Sequence, residues 1–110
     1  MADKLKPLVI IGAGGLGREV AWLVTDINRQ RREWDFVGFV DDSVQGQTPE
    51  GYPVIGTLDY FFELPLYPWA IVAIADSEAR KAIIQQLHTH GINIATLIHP
   101  SVTMSNFVQV

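Results

Sequence analysis

The chain has 110 residues, 48% of them apolar, a formal net charge of −4 and no cysteine. That length suits one domain, or one domain and the start of another, and the composition excludes disulfides and thiolate metal sites. No basic run exceeds Arg29-Gln-Arg-Arg32, no apolar stretch reaches membrane-spanning length and the start, with Asp3 and Lys4, is unlike a signal peptide, so a cytoplasmic protein without nucleic-acid or membrane partners is expected.

Leu8 to Ile11 is a continuous, β-branched apolar run and reads as a buried first strand. Gly12-Ala-Gly-Gly-Leu-Gly17 follows at once, and then a helical pattern to about Gln30 with Leu16, Val20, Leu23, Val24 and Ile27 as its apolar stripe. Strand, glycine-rich turn and helix start together read as a nucleotide-binding βαβ unit. Gly12 permits a tight turn, Gly14 leaves room for a ligand's phosphates, and Gly17 lets helix and strand pack closely. The amides at the helix start can then hold an anion. The same turn can also serve packing alone.

Phe36 to Val40 is the second strand, with Asp41-Asp42 directly at its C-terminal end. Ser43 to Gly51 reads as a loop in place of the expected second crossover helix, and Pro53 to Gly56 as a short strand. Thr57 caps a short helix from Leu58 to about Glu63. Pro65 and Pro68 enclose a turn, and Ala70 to Ala75 is a second buried strand. Asp76 or Ser77 caps a helix to His90 with Gly91 just past its end, and Ile92 to Ile98 supplies a last strand. These elements predict an α/β fold with four or five mainly parallel strands and helices on both faces. From His99 the pattern changes: Val102 and Val108, and Met104 and Val110, recur at a six-residue spacing, as in the first coil of a left-handed parallel β-helix; a plain extended tail is the other reading.

Asp41 and Asp42 stand where a nucleotide site places the carboxylate that accepts ribose hydroxyls, although a few residues late for a dinucleotide fingerprint. A turn-forming pair is the other reading. Arg80, a turn into its helix, can reach a phosphate, as can Arg18 beside the glycine turn; a solvent-exposed helix arginine is the other reading of each. Asp76 reads most simply as a helix cap. His88 and His90 lie two apart near a helix C-terminus, on different faces, so they are no metal pair. No catalytic base and no metal site is identifiable. Trp22, Trp34 and Trp69 read as packing residues, with Trp69 the one to examine as a base platform.

Five blocks appear in order: the Ile-Ile-Gly-Ala-Gly-Gly-Leu-Gly-Arg-Glu-Val-Ala run, Val-Gly-Phe-Val-Asp-Asp at 37–42, Pro-Val-Ile-Gly at 53–56, Ala-Ile-Ala-Asp-Ser-Glu-Ala-Arg-Lys at 73–81 and Ala-Thr-Leu-Ile-His-Pro-Ser-Val at 95–102. Together they resemble the N-terminal domain of the sugar O-acyltransferases and nucleotide-amino-sugar N-acetyltransferases related to the sialic acid O-acetyltransferase. The resemblance implies a small Rossmann-like acceptor-binding domain over 1–97 and the start of a left-handed β-helix over 98–110. It further implies a homotrimer formed through that β-helix, acetyl-CoA as co-substrate bound there, and a catalytic histidine beyond Val110. By position it places Gly12, Gly14 and Gly15 against the acceptor nucleotide, Asp41 and Asp42 beside its base or ribose, and Asp76 and Arg80 on the sugar-phosphate side. Two departures stand out. Leu16 occupies a position where the family often carries histidine, and Ala75-Asp76 replaces a Gly-Asp or Gly-Asn pair.

The expected function is therefore acceptor binding for an acyl-CoA-dependent transferase acting on a sugar or nucleotide-linked sugar. An NAD(P)-binding domain of an oxidoreductase or redox sensor is the second reading. A non-catalytic interaction domain is the third.

Overall fold

The computed structural model describes residues 4–97. The predicted six-residue repeat, and with it the domain boundary at 97/98, lies outside the described residues. Within them the elements run β1 (Lys6–Ile11), α1 (Gly15–Gln30), β2 (Trp34–Val40), β3 (Gly46–Gln47), β4 (Pro53–Gly56), α2 (Leu58–Phe62), β5 (Trp69–Val72) and α3 (Ser77–Thr89). The sheet has the order β3-β4-β2-β1-β5. β1, β2, β4 and β5 run parallel, and only β3 is antiparallel, against β4. The expected mainly parallel sheet is present.

β1 is a central strand between β2 and β5, and its Leu8–Ile11 stretch is buried on both faces, which explains the unalternated apolar run. Leu8 and Ile10 join the α1 residues Val20, Leu23, Val24 and Ile27 in one core cluster. Val9 and Ile11 join Phe61 of α2 and Leu87 of α3 in a second, on the opposite face. Helices thus cover both faces, as predicted. Leu16 departs from prediction: it is 37% exposed and contributes to neither cluster of buried residues. It shares the angular position of the apolar stripe but belongs to the first turn of α1, next to the exposed Gly14 and Gly15.

The β1–β2 register shifts at Leu8/Val9, where Leu8 pairs with Phe36 and Val9 with Gly38, leaving Val37 as the extra residue of a bulge. Three residues apart in a regular strand, Phe36 and Phe39 face opposite ways. The bulge brings both to the α1 side, where their rings meet edge to face at 5.3 Å.

Other differences lie in the connections. The Ser43–Gly51 segment, read as loop, contains the two-residue β3, which borders β4 and is held by the Thr48 turn: Gly51 N donates to Thr48 O at 2.9 Å and Tyr52 N to Thr48 Oγ1 at 3.2 Å. β5 ends at Val72 rather than Ala75, and Ile92–Ile98 is reduced, among the described residues, to one parallel bridge between Ala70 and Ile94. The helix ends follow the predicted signals. Thr57 Oγ1 accepts from Tyr60 N, and Asp76 Oδ1 accepts from Glu78 N. Gly91, at φ +70°, closes α3 with Ile92 N donating to Leu87 O and Gly91 N to His88 O.

At the N-terminal ends of the strands, Trp34 and Trp69 pack edge to face at 5.7 Å, and Lys6 Nζ lies 5.2 Å from each ring. Both indoles are packing residues at the end of the sheet away from the glycine turn.

Candidate functional site

The C-terminal ends of β1, β2 and β5 meet around a cavity of about 240 Å³, lined by Ile11, Gly12, Val40, Asp41, Asp42, Ser43, Leu58, Ile74 and Ile83. β1 is flanked here by β2 on one side and β5 on the other, the place where strand order reverses and where open parallel sheets bind ligands.

The glycine turn forms one wall. Gly12 has φ +112°, and a Cβ there would lie 2.5 Å from Ala73 O. Its N–H donates to Val40 O at 2.8 Å. A Cβ on Gly17 would lie 1.8 Å from Gly12 O, so α1 packs onto the turn at a distance no side chain permits. Gly14 is the N-cap of α1 and Gly15 its first residue; a Cβ on either meets nothing within 4 Å.

The two aspartates form a second part of the lining, and backbone amides hold both. Asp41 Oδ2 accepts from Ala13 N at 2.8 Å, while Oδ1 accepts from Ser43 N at 2.7 Å and Val44 N at 3.0 Å. Its own N–H donates to Gly56 O at 3.0 Å. Partial burial pushes the Asp41 carboxyl up, but the amides of Ala13, Ser43 and Val44 outweigh that and hold it below the ordinary carboxylate range. Asp42 is exposed and uses Oδ1 to accept from Leu58 N at 2.9 Å, fixing the start of α2 at the cavity rim.

The predicted site residues therefore divide. Gly12, Asp41 and Asp42 come together around one cavity. Gly14 and Gly15 stand exposed at the adjoining start of α1 without lining it. Asp76 caps α3, and Arg80 Nη1 donates to Ile74 O at 3.2 Å, bracing the β5–α3 connection behind the wall residue Ile74. Arg18 pairs with Glu50 at 3.1 Å, tying the start of α1 to the β3–β4 turn. Among the described residues, no group of His, Asp and Glu is arranged to hold a metal ion. No helix among them is long and apolar enough to cross a membrane. Sequence reasoning missed the apolar wall of Leu58, Ile74 and Ile83, whose pattern is that of ordinary core residues. It also missed Ser43, which follows the acidic pair directly and was the one legible neighbour.

The cavity thus offers an apolar recess, two carboxylates that accept hydrogen bonds, and an adjoining helix start with side-chain-free amides. That combination suits a polar ligand carrying a flat ring and an anionic group.

The chain is 32% identical over 94 residues to the GDP-perosamine N-acetyltransferase of Escherichia coli, covering 84% of this chain and 42% of that protein. It resembles the acetyltransferase domain of PglB from Neisseria gonorrhoeae with a TM-score of 0.75 and 34% identity, covering 89% of this chain and 46% of that one. The same domain in complex with acetyl coenzyme A matches at TM-score 0.75 and 33% identity, over 88% of this chain and 45% of that one. A variant of perosamine N-acetyltransferase from Caulobacter crescentus, in complex with CoA and GDP-perosamine, matches at TM-score 0.74 and 26% identity, over 89% of this chain and 45% of that one. The chain spans less than half the length of each of these relatives. Residues 7–87 match the PglD N-terminal domain, and the chain belongs to that family.

Proposed function

We propose that this domain binds the acceptor of an acetyl-CoA-dependent transferase that acetylates a nucleotide-linked amino sugar. The observation that carries the reading is the cavity at the strand ends, where Gly12, Asp41 and Asp42 meet beside an open helix start. The base or ribose lies on the Asp41–Asp42 side of the cavity, the diphosphate near Gly12, Gly14 and Gly15, and the sugar-phosphate side toward Asp76 and Arg80. The relatives' names support the acceptor class: two are perosamine N-acetyltransferases, one of them solved with GDP-perosamine. The PglB domain solved with acetyl coenzyme A supports the donor.

In this reading residues 1–97 form the acceptor domain, and 98–110 begin a left-handed β-helix that trimerises the protein and binds acetyl-CoA. The histidine that deprotonates the acceptor amine belongs to that second domain. The amine then attacks the thioester carbonyl, an amide forms, and CoA leaves as the thiolate. The reading places the enzyme in the cytoplasm.

An acetyl-transfer assay tests this. The protein extended beyond Val110 is expected to release CoA thiol only when a nucleotide-linked amino sugar is present, and the 110-residue chain alone to release none. Full turnover by the 110-residue chain would overturn the division of labour. NAD(P)H oxidation or tight NADH binding would favour the oxidoreductase reading instead.

A further inference from the structure

Asp41 is the one side chain of the cavity that bonds to more than one backbone segment. Its carboxylate reaches 28 residues back along the chain to Ala13 N in the glycine turn and forward to Ser43 N and Val44 N in the loop after β2. Its N–H donates to Gly56 O at the end of β4. One residue thus joins the C-terminal ends of β1, β2 and β4. A carboxylate has about four acceptor sites, and three are committed here. Asp42, by contrast, commits one oxygen to one amide, Leu58 N.

The Ala13 bond matters because of what adjoins it. Ala13 stands between Gly12, which lines the cavity, and Gly14, the N-cap of α1. Gly12 is held from the β2 side by Val40 O and confined from the β5 side by Ala73 O. The charge-assisted bond to Ala13 fixes the next peptide, from which the open amides of the helix start project. With its carboxyl held below the ordinary range, the acceptor remains charged at neutral pH.

We infer that Asp41 is a positioning residue: it locks the glycine turn to the loop after β2 and so sets the shape of the cavity, acting on a bound nucleotide through the backbone it holds. The inference deepens the reading of the cavity as a nucleotide site and rests on it for the ligand.

The test is Asp41→Asn, with Asp41→Ala beside it. An asparagine is isosteric. Two amides compete with one for its single oxygen, so Oδ1 stays with Ser43 and Val44 and the –NH2 group turns toward the Ala13 N–H, where no hydrogen bond forms. Amide hydrogen exchange is measured by NMR on the 110-residue chain, and GDP and UDP affinities are measured by titration. Asp41→Asn is expected to speed exchange at Ala13 about tenfold or more, to leave Ser43 and Val44 protected, and to weaken nucleoside diphosphate binding about tenfold. Asp41→Ala is expected to deprotect all three amides. A purely local turn role predicts no change at Ala13 in Asp41→Asn, and that result overturns the inference. So does lost affinity with Ala13 unchanged, which means direct ligand contact, or intact affinity with Ala13 deprotected. If the unaltered chain takes up neither nucleotide, the nucleotide reading fails, while the Ala13 exchange rate still decides whether Asp41 holds the turn.

Discussion

The glycine-rich turn contains two kinds of glycine. Gly12 and Gly17 are demanded by the protein itself: a methyl group on either meets backbone, Ala73 O at 2.5 Å or Gly12 O at 1.8 Å. Gly14 and Gly15 face open space, and a methyl group on either touches nothing within 4 Å. Folding thus accounts for the outer pair and leaves the inner pair unexplained. The inner pair is where a ligand's anionic group can approach the helix start. On the proposed function, the difference separates what builds the site from what uses it, inside six consecutive residues.

The largest expected effect breaks the outer pair. Gly17→Ala forces α1 away from the turn and is expected to destabilise the protein by about 3 kcal/mol or more in urea denaturation. Gly12→Ala adds a strained φ of +112° to its clash and is expected to cost about 2–3 kcal/mol. Equal stability for Gly17→Ala and Gly15→Ala would erase the distinction.

Next comes a cap outside the turn. Asp76→Ala removes the acceptor for Glu78 N and is expected to cost about 1 kcal/mol, measured by thermal denaturation.

The acid limb of stability sharpens the contrast at Asp41, which the turn's Ala13 amide holds. The Asp41 carboxyl sits below its ordinary value of 3.8 in the folded state, so the unfolded chain binds the proton more readily. Its contribution is fully present above that ordinary value and is lost as pH falls through the lowered folded value. Urea denaturation from pH 6 down to about pH 3 is expected to show a shallower loss of stability for Asp41→Asn than for the unaltered chain. Parallel curves would contradict the role of the three amides.

The smallest effect on stability is expected at the inner pair. Gly15→Ala is expected to change stability by no more than about 0.5 kcal/mol, because alanine meets nothing in the folded state and restricts the unfolded chain. The same change is expected to weaken nucleoside diphosphate binding, read by titration. Unchanged binding would assign the inner glycines no ligand role.

Much of this was legible in the residues, for local reasons. The Leu8–Ile11 run, the caps at Thr57 and Asp76, and Gly91 past α3 depend on neighbours within a few residues, where pattern rules apply. Leu16 was misplaced because periodicity reports a side chain's angle around a helix and says nothing of what lies beneath its first turn. The bulge at Val37 and the two-residue β3 escaped because each depends on pairing with a distant strand. At the site, Asp41 and Asp42 were visible as acids at a strand end. Their partners were not: Ala13 is 28 residues from Asp41 and Leu58 is 16 from Asp42, separations that only the folded sheet closes. The apolar wall of Leu58, Ile74 and Ile83 is indistinguishable in sequence from core.

The central claim is that the cavity at the strand ends receives a nucleotide-linked sugar. The most direct measurement is an NMR titration of the 110-residue chain with GDP-, UDP- and CMP-linked sugars and with NADH. The account predicts saturable shifts at the amides of Gly12, Gly14, Gly15, Asp41 and Asp42 with at least one nucleotide sugar, and weaker or no shifts with NADH. Shifts at those amides with NADH alone, or nucleotide-sugar shifts confined to other parts of the chain, would contradict it.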